Sequence, residues 1–148
     1  MKKLFTLLVS LLVSASVYSQ TYNVNTFYAE LGGYVIEVRD GGKHGLVVAM
    51  QDQISHSTWF EADDELSNAT NHDTDGAKFM DWRLPTKREL NVMYGVFVFG
   101  NEANFSGDHY WSSTEYDESD AWSQYFGNGK QESFIKSGPN IVRAVRAF

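Results

Sequence analysis

The chain predicts an α+β fold: mostly antiparallel strands and hairpins packed with one main helix, in a single compact domain. Three observations carry this reading. Residues 86–99 open on a capping box and continue with apolar residues at helical spacing. Runs rich in β-branched and aromatic residues alternate with glycine, asparagine and aspartate turns. No linker, internal repeat or low-complexity tract divides residues 20–148, a length that builds one core.

Taken in order, residues 20–30 are polar and aromatic and read as a lead-in. Gly33 to Arg39 reads as a strand, residues 40–45 as a glycine turn, and Leu46 to Met50 as the returning strand. Residues 51–78 are the least regular: a short helix starts near Trp59 and runs towards Leu66, and residues 68–76 form a surface loop. Thr86 and Glu89 make the capping box, with Pro85 setting the entry. Leu90, Met93, Tyr94 and Phe97 then share one helix face, and the helix ends near Gly100. After a loop over 101–108, strands are expected at 110–113, 121–126, 130–136 and 141–148. Asn128-Gly129 signals a type I′ hairpin, and residues 137–140 form a turn.

The N-terminus reads as an export leader. Met1-Lys2-Lys3 is a short basic start, Leu4 to Val13 is an apolar run, and Val17-Tyr18-Ser19 precedes a cut after Ser19. The apolar run is shorter than the roughly 20 residues a membrane span needs, so no transmembrane segment is expected in the mature chain. No cysteine follows to carry a lipid anchor. The formal charge of −7 becomes more negative when Lys2 and Lys3 leave with the leader. An acidic exported domain does not suit nucleic acid or polyanionic sugars. It suits neutral ligands, cation-bridged ligands or protein partners. With no cysteine, stability rests on packing, much of it aromatic.

Several blocks recur in order: Gly-Gly-Tyr-Val-Ile (32–36), Gly-Lys-His-Gly-Leu-Val-Val-Ala (42–49), Asp-Trp-Arg-Leu-Pro-Thr-Lys-Arg-Glu-Leu (81–90), Tyr-Trp-Ser-Ser-Thr-Glu (110–115), Ala-Trp (121–122), Phe126-Gly127 and Val-Arg-Ala-Val-Arg (142–146). In combination they resemble the Lcl C-terminal domain family, named for the terminal domain of a bacterial collagen-like adhesin. The resemblance implies an exported bacterial α+β domain, distantly similar to C-type-lectin-like and formylglycine-generating folds. It also implies sugar-polymer binding and cell–cell contact. This chain departs from the named adhesin in two ways: its 148 residues hold no collagen-like repeat, and its acidity argues against sulfated polysaccharides.

Individual residues sharpen these expectations. Arg83, between Trp82 and Leu84, ties the pre-helix loop to a strand, or else clamps a ligand. Trp111 supplies core; Trp122 serves either as core or as a stacking platform. Arg143 and Arg146 fall on opposite faces of a strand, so one should be buried and paired with a carboxylate such as Glu89, Glu115 or Asp81. Ser112, Ser113 and Thr114 lack the base and third group that a serine nucleophile needs, so no catalytic residue is assigned. His44, His56, His72 and His109 lack metal-ligand spacing and read as surface or loop residues. Asp63-Asp64-Glu65 and residues 115–120 are acidic clusters, and Asp73 to Gly76 resembles the start of a calcium loop without its closing glutamate. Calcium therefore stays open as a ligand, with no other cofactor expected. A lectin-like fold would present ligand just after the Tyr-Trp-Ser-Ser strand. That makes Glu115, Asp117, Glu118, Asp120 and Trp122 the candidate binding edge.

The expected function is an exported, non-catalytic binding module for a glycan or a cell-surface protein. The alternative is a structural subunit of the cell envelope, which concentration-dependent association would reveal. Catalysis by analogy with formylglycine-generating relatives lacks their cysteine chemistry.

Overall fold

Adjacent side chains on a strand point to opposite faces, and here both faces are buried. Val35 and Val47 enter one core with Leu31, Trp82, Leu84, Trp111 and Val142. Their neighbours Tyr34, Ile36, Leu46 and Val48 enter a second core with Leu90, Met93, Tyr110, Phe126, Ile141 and Val145. The pairs Tyr110/Trp111 and Ile141/Val142 divide the same way. A computed structural model describes residues 19–148. The expected leader therefore lies, apart from Ser19, outside the described residues.

The strands are β1 (Thr26–Tyr28), β2 (Gly33–Arg39), β3 (His44–Val48), β4 (Ile54–Ser57), β5 (His109–Glu115), β6 (Asp120–Tyr125), β7 (Lys130–Ile135), β8 (Asn140–Val142) and β9 (Val145–Ala147). The helices are α1 (Ala62–Ser67) and α2 (Lys87–Phe99), with three short 3₁₀ turns besides. One sheet runs β1-β2-β3-β9, antiparallel throughout. The other runs β4-β8-β5-β6-β7, with β5 and β8 its parallel pair. This is the α+β architecture expected, with α2 as its main helix. No helix among the described residues is long and apolar enough to cross a membrane.

Three local expectations are corrected. The last strand is not continuous from 141 to 148. It ends at Val142, turns a corner through Arg143 and Ala144, and resumes at Val145 in the other sheet. The break lets one segment close both sheets. The Asn128-Gly129 turn is not a two-residue type I′ loop: Tyr125 pairs with Lys130 across four residues, and of the two only Gly129 has positive φ. Tyr94 packs so closely over Gly129 that a Cβ there would lie 2.5 Å from its ring, so helix packing overrides the dipeptide preference. Finally, the lead-in and the irregular stretch hold strands β1 and β4, which the sequence reading missed.

The helix entry forms as the sequence indicates. The Glu89 amide donates to the Thr86 hydroxyl at 3.2 Å, and the Thr86 amide donates to the Glu89 carboxylate at 2.8 Å. Arg83 adds a bidentate pair to Glu89 at 2.7 and 2.9 Å. Burial pushes the Glu89 carboxyl up, but the bonds from Arg83 and Thr86 outweigh it and leave the group below its ordinary range. A lowered carboxyl stabilises the fold above its unfolded pKa of about 4.3 and loses that contribution as pH falls through the lower folded value. Glu89→Gln is therefore expected to lower stability at neutral pH by about 1–2 kcal/mol. The variant should also flatten the acid limb of a urea-midpoint-versus-pH curve. Parallel curves for the two proteins would refute this account.

Candidate functional site

Arg143, Arg146 and Arg83 serve three different joints. Arg143, 1% exposed, reaches into the corner between the sheets. Its Nε donates to Asp52 at 2.7 Å, and its two terminal nitrogens donate to the carbonyls of Ala49, Ala103 and Asn104 at 2.6–3.0 Å. Its guanidinium lies 4.6 Å from the Phe105 ring centre. Arg143 is thus a buried arginine paired with a carboxylate, though with none of Glu89, Glu115 or Asp81. Asp52 is its carboxylate, supplied by the loop before β4. Arg146 does take Asp81, at 2.7 and 3.1 Å, and lies over Phe79. Arg83 bridges β9 and α2, pairing with Val145 through its backbone and with Glu89 through its side chain.

The four tryptophans separate by what their indole N–H groups do. Trp59 donates to the Ser112 carbonyl, Trp82 to Gly76 and Trp111 to Ser57, all at 2.8–2.9 Å. Trp111 is fully buried. Trp122 on β6 is half-buried, and its N–H has no partner among the described residues. The Lys87 ammonium sits 3.0 Å from its ring centre, and Tyr116 meets it edge-on at 5.4 Å. Tyr116 itself is 57% exposed.

Loop 115–120 is the tight β5–β6 hairpin. The Tyr116 and Asp117 amides donate to the Asp120 carbonyl, and the Asp117 carboxylate accepts from the Ser119 and Asp120 amides. A buried cation anchors it from beneath. Lys136, 3% exposed, donates to the Glu115 carboxylate at 2.5 Å and to the carbonyls of Asp117 and Glu118 at 2.8 and 3.0 Å. Glu115 and Asp117 are therefore committed to holding the loop. Glu118 and Asp120 keep their carboxylates free of side-chain bonds among the described residues. The structure thus brings Glu115, Asp117, Glu118, Asp120 and Trp122 together, and adds Tyr116 and Lys87. Tyr116 was hidden in sequence by the acidic run around it; an aromatic at the tip of a hairpin was the available signal.

The remaining candidates are tied down elsewhere. The Ser112 hydroxyl is buried and donates to the Trp122 carbonyl at 2.6 Å, while Ser113 faces the Pro85 carbonyl at 3.4 Å. Thr114 accepts from the first amide of α2 at Lys87. His72 is not a surface residue as expected: it is buried, stacks on Trp82 and bonds the Leu66 carbonyl through Nε2. The Asp73 carboxylate accepts from the Gly76 amide, and Asp75 pairs with Lys78, so the calcium-loop lookalike is a turn. Among the described residues no three His, Asp or Glu side chains converge to hold a metal ion.

A cleft of about 510 Å³ opens elsewhere. Val24, Asn25, Tyr34 and Ile36 form one wall; Val92, Gly95, Val96 and Phe99 of α2 form the other, with Glu102 at the end. The Tyr34 hydroxyl donates to Glu102 at 3.0 Å. Burial, that hydrogen bond and the carboxylate's charge push its pKa up to about 12, so it stays a donor. Sequence reading passed over this cleft because its walls are distant in the chain.

Two antiparallel-dominated sheets, a capped helix and a C-terminal segment shared between the sheets define a small α+β domain. Residues 37–146 match the Lcl C-terminal domain, and the chain belongs to that family. No curated protein matches it.

Proposed function

We propose that the protein is an exported, non-catalytic binding module that engages a neutral glycan through the edge formed by Tyr116, Trp122, Lys87, Glu118 and Asp120. One observation carries this: Trp122 alone among the four tryptophans offers an unpartnered indole N–H, beside an exposed tyrosine ring. The other three N–H groups follow the rule that buried donors are paired. The exposed Tyr116 ring, beside free carboxylates and the Lys87 ammonium that lies over Trp122, matches a sugar, which stacks its C–H face and donates and accepts at its rim. The acidic surroundings favour neutral over sulfated sugars. Family membership supports an address at the cell surface, and the basic-apolar N-terminus supports export.

The test is a glycan array and a cell-adhesion assay with the purified domain. Retention on neutral glycans is expected, weakened about tenfold or more in Tyr116→Ala, whose exposed ring contributes little to folding. A folded wild-type protein retained by no glycan or cell surface, or a Tyr116→Ala variant that binds undiminished, overturns the proposal.

A further inference from the structure

The cleft between the β1–β2 side and the C-terminal half of α2 has no part in the edge described above. Its apolar lining comes from Val24 and Ile36 on one side and Val92, Val96 and Phe99 on the other, with Asn25, Tyr34, Asn101 and Glu102 supplying polar atoms. Its volume of about 510 Å³ falls in the range of ligand sites. Phe99 stands at its mouth 91% exposed.

Every fixed charge on this cleft is negative. Glu102 has one carboxylate oxygen occupied by Tyr34, and no Lys, Arg or His pairs with it among the described residues. Helix α2 delivers its carbonyl end here, equivalent to about half a negative charge, and carries no basic residue in its last turn. The Asn25 side chain makes no hydrogen bond among the described residues and can serve a ligand.

Gly95 supports the same reading. A glycine inside a helix costs about 1 kcal/mol relative to alanine. Packing does not call for it: a Cβ at Gly95 would meet nothing within 4 Å. Glycine here leaves the floor of the cleft open. Val24, Asn25, Tyr34 and Ile36 all lie before residues 37–146, the stretch that matches the family.

We infer that the cleft receives a lysine-type side chain of a partner protein, its apolar stem lying along Ile36, Val92 and Val96 and its ammonium meeting Glu102 at the carbonyl end of α2. The apolar walls suit a four-carbon stem, and the negative end suits a cation. A carboxylate, phosphate or sulfate would be repelled. The net charge of −7 draws a basic partner surface towards it.

The probe is N-acetyl-lysine methylamide, titrated into the full chain and followed by amide chemical shifts. Saturable shifts are expected at Val92, Gly95, Val96 and Glu102. The norleucine analogue, which keeps the stem and lacks the charge, is expected to bind about tenfold more weakly. Glu102→Gln should weaken the lysine probe similarly without moving the melting temperature. Gly95→Leu should fill the cleft and abolish binding while melting at or above wild type, since leucine is the better helix former. Tyr116→Ala should leave the titration unchanged, which separates this site from the glycan edge. No saturable shift, equal binding of the norleucine analogue, or undiminished binding by Gly95→Leu overturns the inference.

Discussion

Arg143→Ala is expected to lower stability by about 3–5 kcal/mol, the range for breaking a buried ion pair by removing one partner. The guanidinium is fully buried, and four bonds from it tie two separate chain segments, Ala49 and Asp52 before β4 and Ala103 and Asn104 after α2, to its own corner between β8 and β9. Truncation leaves three carbonyls and a carboxylate without their donor, in a cavity too confined to be rewetted without rearrangement. Arg143→Lys should recover little, because a single ammonium cannot aim at four acceptors spread around a planar fork. The measurement is the urea midpoint of each variant. A double-mutant cycle with Asp52→Asn should show coupling, since the two side chains share a 2.7 Å bond. A midpoint within error of wild type for Arg143→Ala would remove the guanidinium from its place at the joint.

What was readable in the sequence was local. The Thr86–Glu89 box needs only three residues of separation, and its partners sit where the helix geometry must put them. Trp111 was readable as core because a tryptophan on a strand supplies a large apolar area. The Arg143–Asp52 pair spans 91 residues, and nothing in an irregular segment marks Asp52 as the carboxylate that will face it. Strands β1 and β4, at three and four residues, are too short to display a period of two. The final strand misled for a different reason. Its strand-forming residues run on through both sides of Arg143, but the chain changes sheets there, and a corner leaves no trace in such a run. At Asn128-Gly129 the dipeptide preference was outweighed by Tyr94, a tertiary contact from α2.

The candidate edge was legible in part for a related reason. Acidic residues at 115–120 announced an exposed loop, but the Glu115 carboxylate and the carbonyls of Asp117 and Glu118 hold Lys136, which sequence had placed at the end of a strand. The cleft was legible only through Gly95, a helix-interior glycine flanked by Val92 and Val96. In isolation such a glycine signals a weak helix. Beside an opposing wall from β2, it marks a vacancy in the packing.

Lys136 yields the second large effect, and its pattern differs from that of Arg143. Lys136→Met keeps the stem and removes the ammonium from the Glu115 carboxylate and the carbonyls of Asp117 and Glu118. These acceptors lie in an exposed hairpin, so water can reach them once the loop opens. The cost should be about 2–3 kcal/mol, smaller than for the arginine. The damage should also be local: amide exchange at Tyr116, Ser119 and Asp120 should quicken, while exchange in β2 and β3 holds. Because the ammonium occupies the centre that a cation would need, calcium should leave the melting temperature of the wild-type protein unchanged relative to chelator. Under the glycan-edge proposal, Lys136→Met should weaken sugar binding without touching any sugar contact, by loosening the support of Tyr116. Exchange that rises uniformly across the whole domain would instead make Lys136 a general core residue and detach it from the edge. A calcium-dependent rise in the wild-type melting temperature would show that the loop holds a cation the lysine does not replace.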